Sequence, residues 1–459
     1  MRRFYKKQCL ETLAALLEVH NEVMEFINKG RTEEAVSLLG ECQQGAVSIG
    51  TMIEKTEGEG TQEVSELEKY CELLYVFHKQ IVSGESINLG QMSKKLKHPL
   101  TIVSNGIKNR FPTQKEVVFL PYKASMWDSL ETVWKKMKDD EDTTTYVIPI
   151  PYFDRRADGT FTAMHYERDE FPDDVPTVSY EDYSIENRHP DVIYIHNPYD
   201  DSNFVTSVHP DYYASKLKNE TDELVYIPYF ILGAIDPDDK KAVKDVEHFI
   251  KLPGVVHAHR VIVQSEDWRK VYIRVMTEFA GKQTKSIWEN KIEGTGSPKI
   301  ERIKNLTPDD FKIPSEWEDI IKKEDGSRKK IIFYNTTVGA LLKGRDKMLD
   351  KMDRVFKLFK ENTDDTALLW RPHPLIEATI ASLAPDLWER YKDMTEKYIN
   401  EAWGIYDDTP AIDRAIIISD AYYGDWSSVV WLYEQTGKPI MIEKVEDIED
   451  EETAEDTER

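Results

Sequence analysis

The chain has 459 residues, with 60 Lys plus Arg against 85 Asp plus Glu, a net charge of −25, and 40% hydrophobic and 32% charged residues. That length holds two to three domains with a substantial core, and the composition excludes both a membrane-embedded and a disordered chain. The negative charge argues against unspecific binding to nucleic acid or to an anionic membrane, so any phosphate site has to be built locally.

The start, Met-Arg-Arg-Phe-Tyr-Lys-Lys, is basic like a signal peptide, but Glu11 and Glu18 interrupt the apolar core such a peptide needs. Cys9, Cys42 and Cys71 are odd in number and lack metal-ligand spacing, which suits a reducing cytosol. The reading is cytoplasmic. A peripheral contact with the inner membrane face through the basic start is the alternative to a solvated helix end.

Residues 1 to 95 read as a helical, heptad-patterned interaction region, broken at Gly30-Arg31-Thr32 and at Gly58-Glu59-Gly60-Thr61. Leu10, Leu13, Leu17, His20, Met24 and Ile27 form one stripe. Ala35, Leu39, Cys42, Ala46, Ile49 and Ile53 form a second, and Val64, Leu67, Cys71, Leu74, His78 and Ile81 a third. Such seams predict antiparallel helices packed on one another or on a second subunit. His20 and His78 read as hydrogen-bonded elements of the bundle in preference to a metal site or switch. Residues 93 to 112 read as a basic, irregular segment.

From 115 to 295 strands alternate with helices, at 117 to 120, 146 to 150, 192 to 196, 223 to 227 and 260 to 264, which predicts a parallel sheet with right-handed crossovers. Ligands of such sheets bind beyond the carboxyl ends of the strands. That singles out Lys123, Asp128, His196, Asn197 and Ser265. Residues 296 to 329 read as an interdomain link. A second series fills 330 to 442: a strand at 330 to 334, a loop with Lys343 and Arg345, a helix at 346 to 360, a strand at 366 to 371 stopped by Pro372-His373-Pro374, a helical region at 376 to 400, and a helix from Thr409-Pro410. The apolar run from Ala415 to Ser419 is expected to be a strand with Asp420 at its carboxyl end. A loop then leads to Ser427 and Ser428 at the first turn of a short helix. Residues 443 to 459 read as an acidic disordered tail.

Two such sheets predict an α/β protein of two Rossmann-like domains in a GT-B arrangement, preceded by an α-helical N-terminal region. Arg371 and His373 after one strand, with Asp420, Ser427 and Ser428 after another, form the informative constellation. Helix N–H groups, hydroxyls and a guanidinium fork match phosphate oxygens, and His373 titrates near neutrality. Each has a plainer reading: either serine can be an N-cap, Arg371 can pair with an acid such as Asp420, and His373 can cap a backbone group. No metal motif, nucleophile elbow or Gly-Lys-Ser phosphate loop is present.

Around Ile-Ser-Asp420, Trp426-Ser427-Ser428-Val-Val and Gly-Lys438-Pro439-Ile, with Arg371 and His373 before them, the chain resembles the CDP-glycerol glycerophosphotransferases of teichoic acid synthesis. The resemblance covers about 330 to 442, is thin from 117 to 330, and leaves the helical start uncovered. It implies a GT-B fold whose C-terminal domain binds CDP-glycerol, with the Arg, His and Ser pair on the pyrophosphate. The family's Pro-Thr-aromatic-Arg is replaced here by Asn335-Thr336-Thr337, and residues 422 to 425 lengthen the loop before Trp426. Its Asp-Asn-Pro element is not found in the first domain.

The expected activity is transfer of glycerol phosphate, or a related polyol phosphate, from a CDP-linked donor to a hydroxyl of a cell-surface glycopolymer or its lipid-linked precursor, releasing CMP. In this reading Arg371, Ser427, Ser428, Asp420, Lys343 and Arg345 face the donor. His373 stabilises the leaving phosphate, Asp128 or His196 is the base, and Lys123 and Asn197 lie on the acceptor side. No metal and no cofactor besides the CDP-linked substrate is expected. The alternatives are a GT-B glycosyltransferase or epimerase using a UDP-sugar, and a non-catalytic assembly protein acting through the N-terminal helices.

Overall fold

The computed structural model describes residues 1–156, 158–373, 376–409 and 412–443; the expected tail from 444 onward and the helix start at Pro410 lie outside them. Four helices open the chain: α1 (Arg3–Asn28), α2 (Thr32–Glu57), α3 (Gln62–Ser83) and α4 (Leu89–Asn109). Short turns make neighbours antiparallel. α3, for example, starts where the Thr61 hydroxyl accepts from the Val64 N–H and stops at Gly84, in the left-handed region at φ 72°. The predicted stripe of α2 is its buried face. In α1 the buried face is rotated onto Cys9, Leu13, Leu16, His20 and Val23, and in α3 Tyr70 and Phe77 replace Cys71 and His78 inside, because the bulkier rings fill the interior.

α4 corrects the irregular segment. Met92, Leu96, Leu100, Val103 and Ile107 face the bundle while Lys94, Lys95 and Lys97 face solvent. Pro99 inside the helix obscured the pattern. The seams thus close on the chain's own four helices. His20 is the hydrogen-bonded structural element expected, its Nε2 2.6 Å from the Tyr70 hydroxyl.

Among the described residues nine strands follow: β1 (Lys115–Leu120), β2 (Thr143–Val147), β3 (Tyr152–Arg155), β4 (Phe161–His165), β5 (Val192–Ile195), β6 (Thr206–Val208), β7 (Glu223–Tyr226), β8 (Arg260–Ile262) and β9 (Ile292–Glu293). Six form a parallel sheet in the order β2-β1-β5-β7-β8-β9, and β4-β3-β6 form a small antiparallel sheet beyond its carboxyl edge. The second parallel sheet has the order β12-β11-β10-β13-β14, from β10 (Lys330–Thr336), β11 (Thr366–Pro372), β12 (Ile405–Tyr406), β13 (Ala421–Gly424) and β14 (Ile440–Ile442). A helical region ahead of two parallel-sheet α/β domains is the fold class expected from the sequence.

A second element is corrected. Residues 415 to 418 of the expected strand belong to a buried helix, Ile412–Ile418, and the strand is β13, placed where a loop was expected. A short run that is apolar on every side has no period to distinguish helix from strand. In the helix, Asp413 pairs with Arg302 and Arg414 with Asp407.

The domains are held together by packing and by charge. Ile231, in the loop after β7, is buried with Ile303, Trp317 and the second domain's core. Gly233 lies under Trp431, whose indole occupies the space a side chain would need. The helix Pro298–Asn305 adds a charged seam, with Lys299 3.0 Å from Asp128 and Arg302 paired to both Glu131 and Asp413.

Candidate functional site

In each parallel sheet the chain begins in the middle and later reverses direction, and the crevice at that switch point is where open α/β sheets bind ligands. In the first sheet the crevice lies between β1 and β5, and His196 fills it. Its ring is fully buried, Nε2 accepts from the Tyr122 N–H at 3.1 Å, and Nδ1 lies 2.9 Å from Ser129 Oγ. Burial lowers its pKa to about 3, so the ring stays neutral. Both nitrogens are engaged, and His196 is corrected from base to structural pin between two strand ends.

Asp128 is likewise corrected. It faces Lys299 in the interdomain seam, and burial raises its pKa against the pull of that cation. Asn197 accepts from the Tyr199 N–H at 3.0 Å and shapes its own turn, and Ser265 caps the helix Glu266–Ala280. Lys123 stays at the edge, its Nζ 4.9 Å from the Tyr152 ring centroid.

In the second sheet the crevice lies between β10 and β13, whose ends carry Asn335, Thr336 and Thr337 on one side and Asp425, Trp426, Ser427 and Ser428 on the other. β11 flanks β10 and brings His373 alongside, its N–H bonded to the Thr336 carbonyl at 3.0 Å. Two strand spacings, about 10 Å, thus separate the end of β11 from that of β13, with Thr337 between them. Asp425 receives the Thr337 N–H at 2.8 Å and the buried Lys351 at 3.2 Å; burial raises its pKa despite that cation. Ser427 accepts from Asn335 Nδ2 at 3.1 Å and from the Val429 N–H at 3.2 Å, so it is an N-cap as well as a crevice residue. Ser428 and Trp426 are exposed. Gly424 makes the fit possible at φ 136°, since a Cβ there would meet the Asn335 backbone.

Arg371, Asp420, Lys343 and Arg345 depart from their expected places. Arg371 is buried, with Nη1 2.9 Å from Asp407, a carboxylate it shares with Arg414. Its guanidinium also donates to the Thr409 carbonyl, so it braces the β11–β12 side of the sheet instead of lining the crevice. Asp420 precedes β13, at the opposite edge, where it accepts from the Ile331 N–H at 2.8 Å and pairs with Arg328 and Lys330. The helix found at 412–418 displaced it there. Lys343 sits inside the helix Val338–Gly344 and not in a loop, while Arg345 follows at φ 49° and pairs with Asp386. His373 is exposed, and its pKa is lowered by partial desolvation and by the nearby Arg371 charge. The expected residues that converge are therefore His373, Ser427 and Ser428.

Thr337, the Asp425–Lys351 pair and a dyad in the first domain were not among the expected site residues. In that dyad His165 Nε2 lies 2.8 Å from Asp154, and the ring stacks on Tyr152 at 4.9 Å. β3 and β4 pair Tyr152 with His165, so these side chains and Asp154, two residues on, share one face. Only the His-Tyr-Glu run at 165 to 167 hinted at it. Among the described residues no group of three or more His, Cys, Asp or Glu is placed to hold a metal ion, and no helix is long and apolar enough to cross a membrane.

No family model and no curated protein matches the chain. Solved structures that resemble it include S. aureus MnaA bound to UDP, at 11% identity and a TM-score of 0.41 over 72% of this chain and 79% of that one. A putative UDP-N-acetylglucosamine 2-epimerase from Listeria monocytogenes has 12% identity and a TM-score of 0.40 over the same shares. A glycosyltransferase from Rickettsia africae has 11% identity and a TM-score of 0.33, again over 72% and 79%. At such scores the likeness carries no functional weight, and function rests on the residues of this chain.

Proposed function

We propose that the chain is a transferase that binds a nucleotide-activated donor at the carboxyl edge of the second sheet. The donor is CDP-glycerol or a related CDP-polyol, and the acceptor is a hydroxyl of a surface glycopolymer or its lipid-linked precursor. The observation that supports this is the crevice between β10 and β13, where Thr337, His373, Ser427 and Ser428 converge beside the loop of the first domain that meets Trp431. The choice of CDP rests on the sequence resemblance.

In this reading the Ser428 hydroxyl and the His373 imidazole donate to the diphosphate, while the Thr337 hydroxyl, which donates to Asp425, and Ser427 shape the crevice around it. The Arg371–Asp407–Arg414 cluster on the His373 side carries two positive charges against one negative. Its field offsets part of the repulsion from a chain of net charge −25. On the acceptor side His165 is the base. With Nε2–H donating to Asp154, Nδ1 carries the lone pair that takes the hydroxyl proton. The acceptor oxygen then attacks the phosphorus of the glycerol phosphate, and the bond to the CMP phosphate breaks with its electrons leaving on CMP. Positioning and charge stabilisation supply most of such a transfer.

The test is nucleotide release by the full chain from CDP-glycerol and from UDP-sugars, with Ser428→Ala and His373→Ala. Release of CMP that falls at least tenfold in both variants supports the reading. UDP release alone would transfer the site to sugar-nucleotide chemistry, and undiminished activity in both variants would remove the site.

A further inference from the structure

Trp426 is 54% exposed, although an indole is among the most costly side chains to leave in water. Its exposure is not that of a loose loop. The residue before it, Asp425, is held by Lys351 and Thr337, and the residue after it, Ser427, by Asn335 and the Val429 N–H. Its ring meets Trp431 at 4.8 Å with the planes at 88°. Trp431 in turn lies over Gly233 of the other domain, whose loop is anchored by Trp268 Nε1 donating to the Gly233 carbonyl at 2.9 Å and by the Leu232 N–H donating to Gln264 at 3.0 Å. A fixed indole is therefore presented to solvent where the two domains meet, beside the crevice at the end of β13.

We infer that Trp426 is the platform on which the pyrimidine base of the donor stacks; this rests on the reading of the crevice as a nucleotide-diphosphate site. Two residues, about 7 Å of backbone, separate Trp426 from Ser428, which matches the reach of a ribose between base and diphosphate. Stacking on an indole recognises the planar base without selecting among bases by hydrogen bonds, as in single-strand binding proteins. The platform therefore provides affinity for any nucleoside diphosphate, and discrimination of cytosine from uracil falls to other groups.

The experiment is calorimetric titration of the full chain, as wild type, Trp426→Leu and Trp426→Phe, with CDP, UDP and inorganic pyrophosphate. The expected result is a CDP and UDP affinity weakened about tenfold or more by leucine and much less by phenylalanine, with pyrophosphate binding the same in all three. If the leucine variant binds CDP as tightly as wild type, the platform is refuted and the crevice stands. If it loses CDP and pyrophosphate alike, Trp426 supports the loop and not the base, which also refutes the inference. If the wild type binds neither nucleotide, the reading of the crevice falls and the platform with it.

Discussion

Replacing His196 by alanine is expected to destabilise the first α/β domain, because the ring pins the ends of β1 and β5 together. The substitution strands the buried Tyr122 N–H, which costs about 1–3 kcal/mol, and removes one partner of Ser129, which keeps its bond to the Met126 carbonyl. The emptied crevice adds a cavity term, for a total of about 3–5 kcal/mol. His196→Gln restores an acceptor for the Tyr122 N–H and is expected to recover more than half of that loss. Urea unfolding followed by tryptophan emission reads both variants, since Trp127, Trp134 and Trp268 are buried in this domain. An alanine variant that unfolds at the wild-type urea concentration yet releases no CMP would refute the reasoning and return His196 to the role of base.

Linkage gives a second expectation. His196 and His20 are held neutral in the fold, with pKa lowered to about 3 and about 4 by burial, while unfolded histidine titrates near 6.5. Their stabilisation is complete above about pH 6.5 and is lost as pH falls, by up to about 1.4 kcal/mol per pH unit for each. The slope of stability between pH 6.5 and 5 should flatten in the His20→Gln, His196→Gln double variant, and an unchanged slope would contradict the assignment. Arg371→Met, which leaves buried Asp407 with Arg414 and the two Thr409 donors, should cost about 3 kcal/mol in urea unfolding; intact stability with weaker CDP binding would place the guanidinium on the ligand instead. Gly233→Val should collide with Trp431 and loosen the domain contact, read as faster proteolysis in the 294–329 segment, and unchanged proteolysis would count against that contact. Asp128→Asn should leave turnover within about twofold, because Asp128 faces Lys299 in the seam, whereas loss of turnover with intact folding would make it the base.

The fold class was legible because alternation of apolar strands with amphipathic helices is local information, and the α2 stripe was legible residue by residue. α4 was not, since Pro99 and its run of lysines obscure a pattern that packing against three other helices enforces. The run at 415 to 418 shows the limit most clearly. A short segment that is apolar on all sides suits a buried strand and a buried helix equally, and the choice moved Asp420 to the wrong edge of the sheet. Among the candidate residues, the place of His373 after a strand and of Ser427 and Ser428 at a helix start was legible. The use of Arg371 was not, because its partner Asp407 lies 36 residues away. The Asp154–His165 dyad was hidden for a similar reason, depending on the cross-strand pairing of a small antiparallel sheet that the parallel pattern does not announce.

We propose that a nucleotide diphosphate sits at the carboxyl edge of the second sheet. A structure of the full chain with CDP tests it most directly. The diphosphate is expected between Thr337, His373, Ser427 and Ser428 with the base on Trp426; CDP bound away from the β10–β13 crevice would overturn the proposal.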